Sequence, residues 1–388
     1  MIYDDLILHQ SQWNRLSVAF TSGRLAHAYL FHGPAGSGKE AHAIELAALV
    51  NCTKAGSNGA CGVCPSCIKF KNLQHPNLQL VLPLPRRNAV TKSDPPLKAL
   101  NSNDIDSLIE QQALKATQPY YKINMDGASS ILINSVRELR RTSHLRQAED
   151  GWRAILLFEA EKLCIPQPTA GNALLKLLEE PPPQTIIILV TDRPNLLLDT
   201  LRSRCLSLFF PQLPGLDISR YMVENRGVTP ETARLLAEAT NGNLVQALQL
   251  VDENIDPDSL ISPLISSIIT PQPKSWQQLV DSLANSRRRK PLEFIVQMQL
   301  FQLWLRDLML LSINGKMETL IFSTQEAKLR GCLELFPNAD WGMCTELLEQ
   351  ALTSLDRNIN PGLVFTNLFL NLRDIMRGNT DPGLLVDA

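Results

Sequence analysis

The run Gly33-Pro-Ala-Gly-Ser-Gly-Lys39 constrains this chain most, because it follows the apolar segment Ala28-Tyr-Leu-Phe31 and opens a helical stretch from Glu40 to Val50. Strand, glycine loop and helix stand in the order of a phosphate-binding loop. Gly33, Gly36 and Gly38 let backbone N–H groups, including that of Ser37, close around phosphate oxygens. Lys39 is placed to reach the outer phosphates, and the positive end of the helix points at the same spot. The next position of such a loop calls for a Ser or Thr hydroxyl to bind Mg²⁺, and here it is Glu40. A carboxylate there could ligate Mg²⁺ directly, but it also stands beside the charge of a triphosphate. The expectation is weakened or absent use of Mg-ATP.

Eight cysteines in 388 residues do not make a disulfide scaffold, and four of them cluster in a way that points to metal. Cys52, Cys61, Cys64 and Cys67 form Cys-x8-Cys followed by two CxxC steps that share Cys64, with Gly62 and Pro65 supplying tight turns. Four thiolates so spaced can surround one tetrahedral Zn²⁺, a closed structural site without catalysis. Free thiols are one alternative. An iron–sulfur site is another, against which stands the absence of a cysteine between Cys67 and Cys164.

Five short apolar runs separated by helical or loop-rich stretches predict a parallel sheet covered on both faces, with the ligand site at the carboxyl ends of the strands. After Ala28–Phe31 these are 78–82, read as buried, then 153–158, 185–190 and 206–210. Between them, residues 83–126 form a proline-broken, locally basic insertion with a helix at 103–116, suited to a mobile surface segment or a partner contact. A helix capped by Ser129 or Ser130 and running through Ser143 brings Arg137, Arg140, Arg141 and His144 to one basic face. That face fits phosphates, although charge pattern alone favours a solvated surface. Beyond a hinge at 211–215, short helices at 218–224, 229–240 and 243–253 suggest a small lid. From Trp276 the chain reads as helical, with Leu300, Trp304, Leu308 and Leu311 in core or subunit interface and Arg287–Lys290 at a solvated helix boundary.

Thirty-seven basic against thirty-nine acidic residues leave a net charge of −2, so no global field draws the chain onto nucleic acid or lipid. No apolar run approaches a membrane span, and Met1–Asp5 lacks the basic start of a signal segment, which points to a cytoplasmic protein without a membrane partner.

The loop, the cysteine module, Asn172-Ala-Leu-Leu-Lys-Leu-Leu-Glu-Glu-Pro-Pro182 and Ser203-Arg-Cys205 follow one another as in bacterial clamp-loader subunits of the AAA+ class, those of DNA polymerase III, which this chain resembles. The resemblance is dense over 26–50, 52–67 and 150–210, architectural beyond 215 and absent across 83–126. It implies an α/β P-loop domain over 1–212 with a zinc module at 52–67, a small helical lid over 213–265 and an all-α collar over 270–388. It also implies partners: other clamp-loader subunits of gamma/tau and delta types, the sliding clamp, and primer–template DNA reached through the complex and faced by the helix bearing Arg137, Arg140 and Arg141.

Three departures remove catalytic parts. Phe158 stands where hydrolysing members carry a Mg²⁺-organising Asp, Val245 replaces the lid arginine, and Glu40 replaces the loop hydroxyl. Glu159 matches the general base and Thr191 the first sensor, but both lack an organised metal to serve. Arg204 is retained and by resemblance reaches, in trans, the ATP of a neighbouring subunit. The expected role is a non-hydrolysing subunit that lends this arginine finger. The alternatives are a hydrolysing gamma/tau-type subunit, and a metal-dependent regulator that uses the fold only to bind.

Overall fold

The computed structural model describes residues 1–388 except 57–58, 144, 146, 148, 271–272, 315–319, 358 and 380–388. His144 of the predicted basic face thus lies outside the described residues. The chain forms two compact units, one of Met1–Leu213 with Asn243–Val245, the other of Pro214–Gly242 with Gln246–Ala388.

The first unit is built on a five-stranded sheet in the order β2-β3-β4-β1-β5. Its strands are β1 (Ala28–His32), β2 (Leu78–Val81), β3 (Arg153–Leu157), β4 (Thr185–Thr191) and β5 (Leu206–Phe209). Every pairing is parallel, with Leu30 opposite Leu189 on one side and Ser207 on the other, and Leu156 opposite Ile188. The two-residue period of a strand sorts its side chains between two cores. Tyr29, Phe31, Leu156 and Ile188 pack on the face covered by α1 (Gln10–Thr21), α2 (Lys39–Val50) and α3 (Pro65–Lys71). Ala28, Leu30, Leu157 and Leu189 pack on the other. That face is covered by α5 (Ile133–Ser143), α6 (Thr169–Glu179) and α7 (Asp199–Arg202), while α4 (Ser102–Thr117) lies within the insertion.

Some expectations are corrected. The strand at 78–81 is an edge and only half buried, because nothing pairs beyond β2 among the described residues. Helix α5 begins at Ile133, past the expected cap at Ser129 or Ser130. The insertion 83–126 contributes Leu84, Leu100, Leu108, Ile123 and Met125 to the core. Its helix α4 opens with a reciprocal capping box between Asn101 and Asp104, which fixes the start of the helix without help from packing.

Beyond Leu213, α8 (Gly215–Arg226), α9 (Pro230–Ala239) and α10 (Leu244–Asp252), whose first two residues fall in the first unit, match the predicted short helices. Helix α11 (Pro257–Ile269) was not anticipated; Asp256 caps it, and Pro263 inside it obscures its helical signal in the sequence. The rest are α12 (Pro273–Arg289), α13 (Pro291–Asn314), α14 (Glu326–Leu335), α15 (Trp341–Asp356) and α16 (Pro361–Met376). Leu300, Trp304, Leu308 and Leu311 are buried, as their spacing predicts for core. The basic run at 287–290 closes α12, with Arg287 Nη2 donating to the Leu355 carbonyl at 2.7 Å and Lys290 paired to Glu293 at 2.6 Å.

One buried carboxylate ties the start of the chain to α2. Glu45 is fully buried and accepts the Ile2 N–H at 2.8 and 3.1 Å. Burial pushes its pKa from 4.5 up to about 7, against the pull of those N–H donors. The folded state therefore holds the proton more tightly than the unfolded chain, so this group's contribution falls as pH rises from about 4.5 through about 7. Urea unfolding across that range is expected to show wild type losing stability relative to Glu45→Gln, by an amount on the order of 3 kcal/mol.

Candidate phosphate loop, cysteine centre and arginine

The loop after β1 has the backbone that its glycines predict. Gly36 and Gly38 sit at φ +74° and +79°, and at Gly33, φ +146°, an added Cβ would lie 2.0 Å from the Phe210 carbonyl oxygen. Two histidines hold the loop from behind. His9 Nε2 donates to the Ser37 carbonyl at 2.7 Å, and His42 Nδ1 donates to the Gly38 carbonyl at 2.8 Å while its Nε2 accepts from His9 N at 3.2 Å. These bonds assign His42 as a neutral Nδ1–H tautomer, and burial takes its pKa down to about 3.

Lys39 is turned back into its own loop. Its Nζ donates to the carbonyls of Gly33 at 2.9 Å and Pro34 at 2.6 Å and pairs with Asp192 at 2.7 Å. Burial lowers its pKa, and Asp192 resists that shift. Glu40 is paired with Lys115 of α4, Nζ to Oε2 2.6 Å, and the Lys115 ammonium also lies 5.6 Å from the centre of the Phe158 ring. Glu159, at φ +50°, pairs with Lys162 at 2.8 Å and lies 3.9 Å from Lys122, which is 3.8 Å from Asp192. Burial works against the charge of Lys122, but Glu40, Glu159 and Asp192 outweigh it and raise its pKa. Thr191 is buried, and its hydroxyl donates to Glu161 at 2.6 Å.

Thus Gly33, Gly36, Ser37, Gly38, Lys39, Glu40, Glu159 and Thr191 share one end of the sheet with Lys115, Lys122, Glu161 and Asp192. Asp192 was open to a sequence reading, because it follows the last residue of β4. Lys115 was not: it lies 75 positions from Glu40, and no local period links them. The residues do not fit a Mg²⁺ shell. Phe158 is 1% exposed and apolar, and the carboxylate at the loop's metal position is held by an ammonium group.

The four cysteines do converge, with all ligand atoms within 4.8 Å of one another and Cys61 Sγ 3.9 Å from Cys67 Sγ. Tetrahedral coordination with metal–sulfur bonds of about 2.3 Å requires sulfur–sulfur edges of about 3.8 Å, so the cluster fits a metal ion. Backbone N–H groups of Cys61, Cys64 and Cys67 point at the sulfurs of Cys52, Cys61 and Cys64. At Cys64, burial raises the thiol pKa, but the N–H groups of Cys67 and Thr53 outweigh it and bring it to about 6. The Val63 N–H lowers that of Cys61, whereas burial raises those of Cys52 and Cys67, so the fold alone favours the thiolate at two of the four sulfurs. Cys64 caps α3 and Cys67 lies within it, so the centre is rooted in the core through Phe70 of the same helix.

Arg204 follows α7 on the surface. Its Nε and Nη2 donate to Glu179 Oε1 at 3.0 and 2.6 Å, and its Nη1 donates to the Thr200 carbonyl at 2.9 Å. Glu179 belongs to the Leu-Leu-Glu-Glu-Pro-Pro run, so two motifs far apart in sequence meet as one ion pair. On α5, Arg141 is exposed and bound to Glu138 at 2.7 Å, whereas Arg137 and Arg140 are half buried. The basic face is therefore interrupted by a carboxylate.

The family described as DNA polymerase III, delta subunit matches residues 8–214. This chain belongs to that family. Relatives within and beside it are informative. The DNA polymerase III subunit delta' of Bacillus subtilis is 32% identical over 228 residues, 58% of this chain and 54% of that protein. The DNA polymerase III subunit gamma/tau of Mycobacterium tuberculosis is 31% identical over 244 residues, 61% of this chain and 34% of that protein. The chain thus spans about a third to about half the length of these relatives. A solved gamma subunit-related protein from Thermotoga maritima matches 93% of this chain and 99% of its own at 14% identity and TM-score 0.36, too loose to carry an argument. The family match spans nearly the whole of the phosphate-loop unit, where Glu40 and Phe158 lie. No described helix is long and apolar enough to cross a membrane.

Proposed function

We propose that this chain is the delta'-type, non-hydrolysing subunit of a DNA polymerase III clamp loader, which helps place a sliding clamp on primed DNA in the cytoplasm. The observation that carries this reading is Phe158, buried at the end of β3 where a metal-binding carboxylate is needed. The family match and the delta' relative support the assignment. In this reading the helices of the second unit divide into a lid over 213–265 and a collar over 270–388 that joins gamma/tau-type and delta-type subunits. Arg204 leaves Glu179 to meet a neighbour's ATP. Arg137, Arg140 and Arg141 contact the DNA backbone without reading bases. The cysteine centre holds structural Zn²⁺ through Cys52, Cys61, Cys64 and Cys67, and the metal supplies no chemistry beyond fixing the module.

A hydrolysing gamma/tau-type subunit is the second reading, favoured by the 31% identity to a gamma/tau protein and by the retained Lys39 and Glu159. Reconstitution tests the proposal: gamma/tau-type and delta-type subunits are mixed with clamp and primed DNA, with and without this chain. Loading that needs the chain is expected; equal loading without it, or failure to co-purify with those subunits, contradicts the reading.

A further inference from the structure

The geometry points to Lys115 as a built-in replacement for the divalent ion of the phosphate loop, an ammonium that completes the site's charge so that no metal enters. This rests on the non-hydrolysing reading above and deepens it, since it concerns why the same site rejects Mg²⁺.

Two positions hold the ion in phosphate loops of this kind: the residue after the loop lysine, and the residue at the end of the neighbouring strand. In this chain they are Glu40 and Phe158. Lys115 engages both, with its Nζ 2.6 Å from Glu40 Oε2 and 5.6 Å from the centre of the Phe158 ring. A cation facing an aromatic ring is attracted by the ring's quadrupole, so the phenyl group that cannot ligate a metal still accepts an ammonium. The side chain of Lys115 is 1% exposed, which makes it a buried, directed charge rather than a surface lysine that happens to lie near a carboxylate.

The charges around the loop also balance. Glu40, Glu159, Glu161 and Asp192 all act on Lys122, and Lys39, Lys115, Lys122 and Lys162 face them. A divalent ion added to that set would leave excess positive charge in a partly buried site, whereas removing one lysine leaves a carboxylate in want of a cation. The insertion that delivers Lys115 packs into the core through Leu108, so the ammonium is held on a helix and not on a loose loop.

The test uses the full-length chain and Mn²⁺ alone, read by electron paramagnetic resonance and by thermal unfolding. Wild type is expected to bind no Mn²⁺ at the loop and to melt at the same temperature with or without it. Lys115→Met is expected to melt lower than wild type, to bind one added Mn²⁺, and to recover several degrees of melting temperature in millimolar Mn²⁺. Lys115→Arg, which keeps the cation, and Lys115→Met with Glu40→Ala, which removes both charges and adds no hydroxyl ligand, are expected to bind none. Mn²⁺ binding by wild type at the loop overturns the proposal, and so does a Lys115→Met chain that folds but gains no Mn²⁺. A Lys115→Met chain that stays unfolded both with and without Mn²⁺ also overturns it, because the divalent ion then fails to replace the ammonium. ATP turnover by wild type would instead remove the non-hydrolysing reading, so the two failures are distinguishable.

Discussion

With zinc in the cysteine centre as proposed, its removal is expected to unfold the phosphate-loop unit at temperatures where the zinc-loaded chain is stable. Structural zinc contributes about 10–16 kcal/mol of apparent binding free energy in small zinc modules, because the unfolded chain has no preformed site. Here Cys64, Cys67 and Phe70 also belong to the core that holds Trp13 and Ile2, so part of the module's order is expected to survive without metal. The net loss is expected on the order of 5 kcal/mol, which exceeds or consumes much of a typical domain's stability. Cys67→Ser, which removes one fully buried ligand, is expected to behave like chelation. Thermal unfolding followed together with bound zinc checks this: a chain that melts unchanged after losing all its zinc contradicts it.

The second large effect belongs to Arg204. In the assembled complex, Arg204→Ala is expected to depress ATP turnover at the neighbouring site it serves by about 10³-fold or more, the scale on which arginine fingers act on the transferred phosphoryl group. Lysine is not an adequate substitute, since a point charge lacks the planar fork of the guanidinium. The isolated chain gives the control. Arg204 and Glu179 form a partly exposed pair, so Arg204→Ala is expected to change the isolated chain's stability by no more than about 1 kcal/mol. Steady-state ATPase of wild-type and variant complexes, set beside urea unfolding of the free chains, separates a lost finger from a lost fold. Equal ATPase rates would remove Arg204 from the mechanism.

Much of the phosphate-loop unit is legible in the amino-acid sequence because its signals are local. Apolar runs such as Arg153–Leu157 and Thr185–Thr191 have no polar face, as strands buried on both sides require. The glycine loop and the CxxC steps are equally local, since their geometry is set by residues a few positions apart. What escaped is what depends on distance or on interrupted pattern. The Lys115–Glu40 and Arg204–Glu179 pairs join segments that share no periodicity, and only the folded sheet brings them together. Helix α11 carries Pro263 in its interior, which local rules read as a break. The insertion was set apart for its prolines, yet Leu84, Leu100, Leu108, Ile123 and Met125 are spaced by the shape of the core they fill, not by a helical or strand repeat.

In the proposed non-hydrolysing subunit the phosphate loop keeps its backbone while Glu40, Phe158 and Lys115 leave it without a catalytic metal. Steady-state ATP hydrolysis by the purified chain in excess Mg²⁺, with Lys39→Ala alongside, tests it most directly. No turnover above background and no difference between the two proteins are expected; brisk Mg²⁺-dependent turnover that disappears in Lys39→Ala would rule out a metal-free loop.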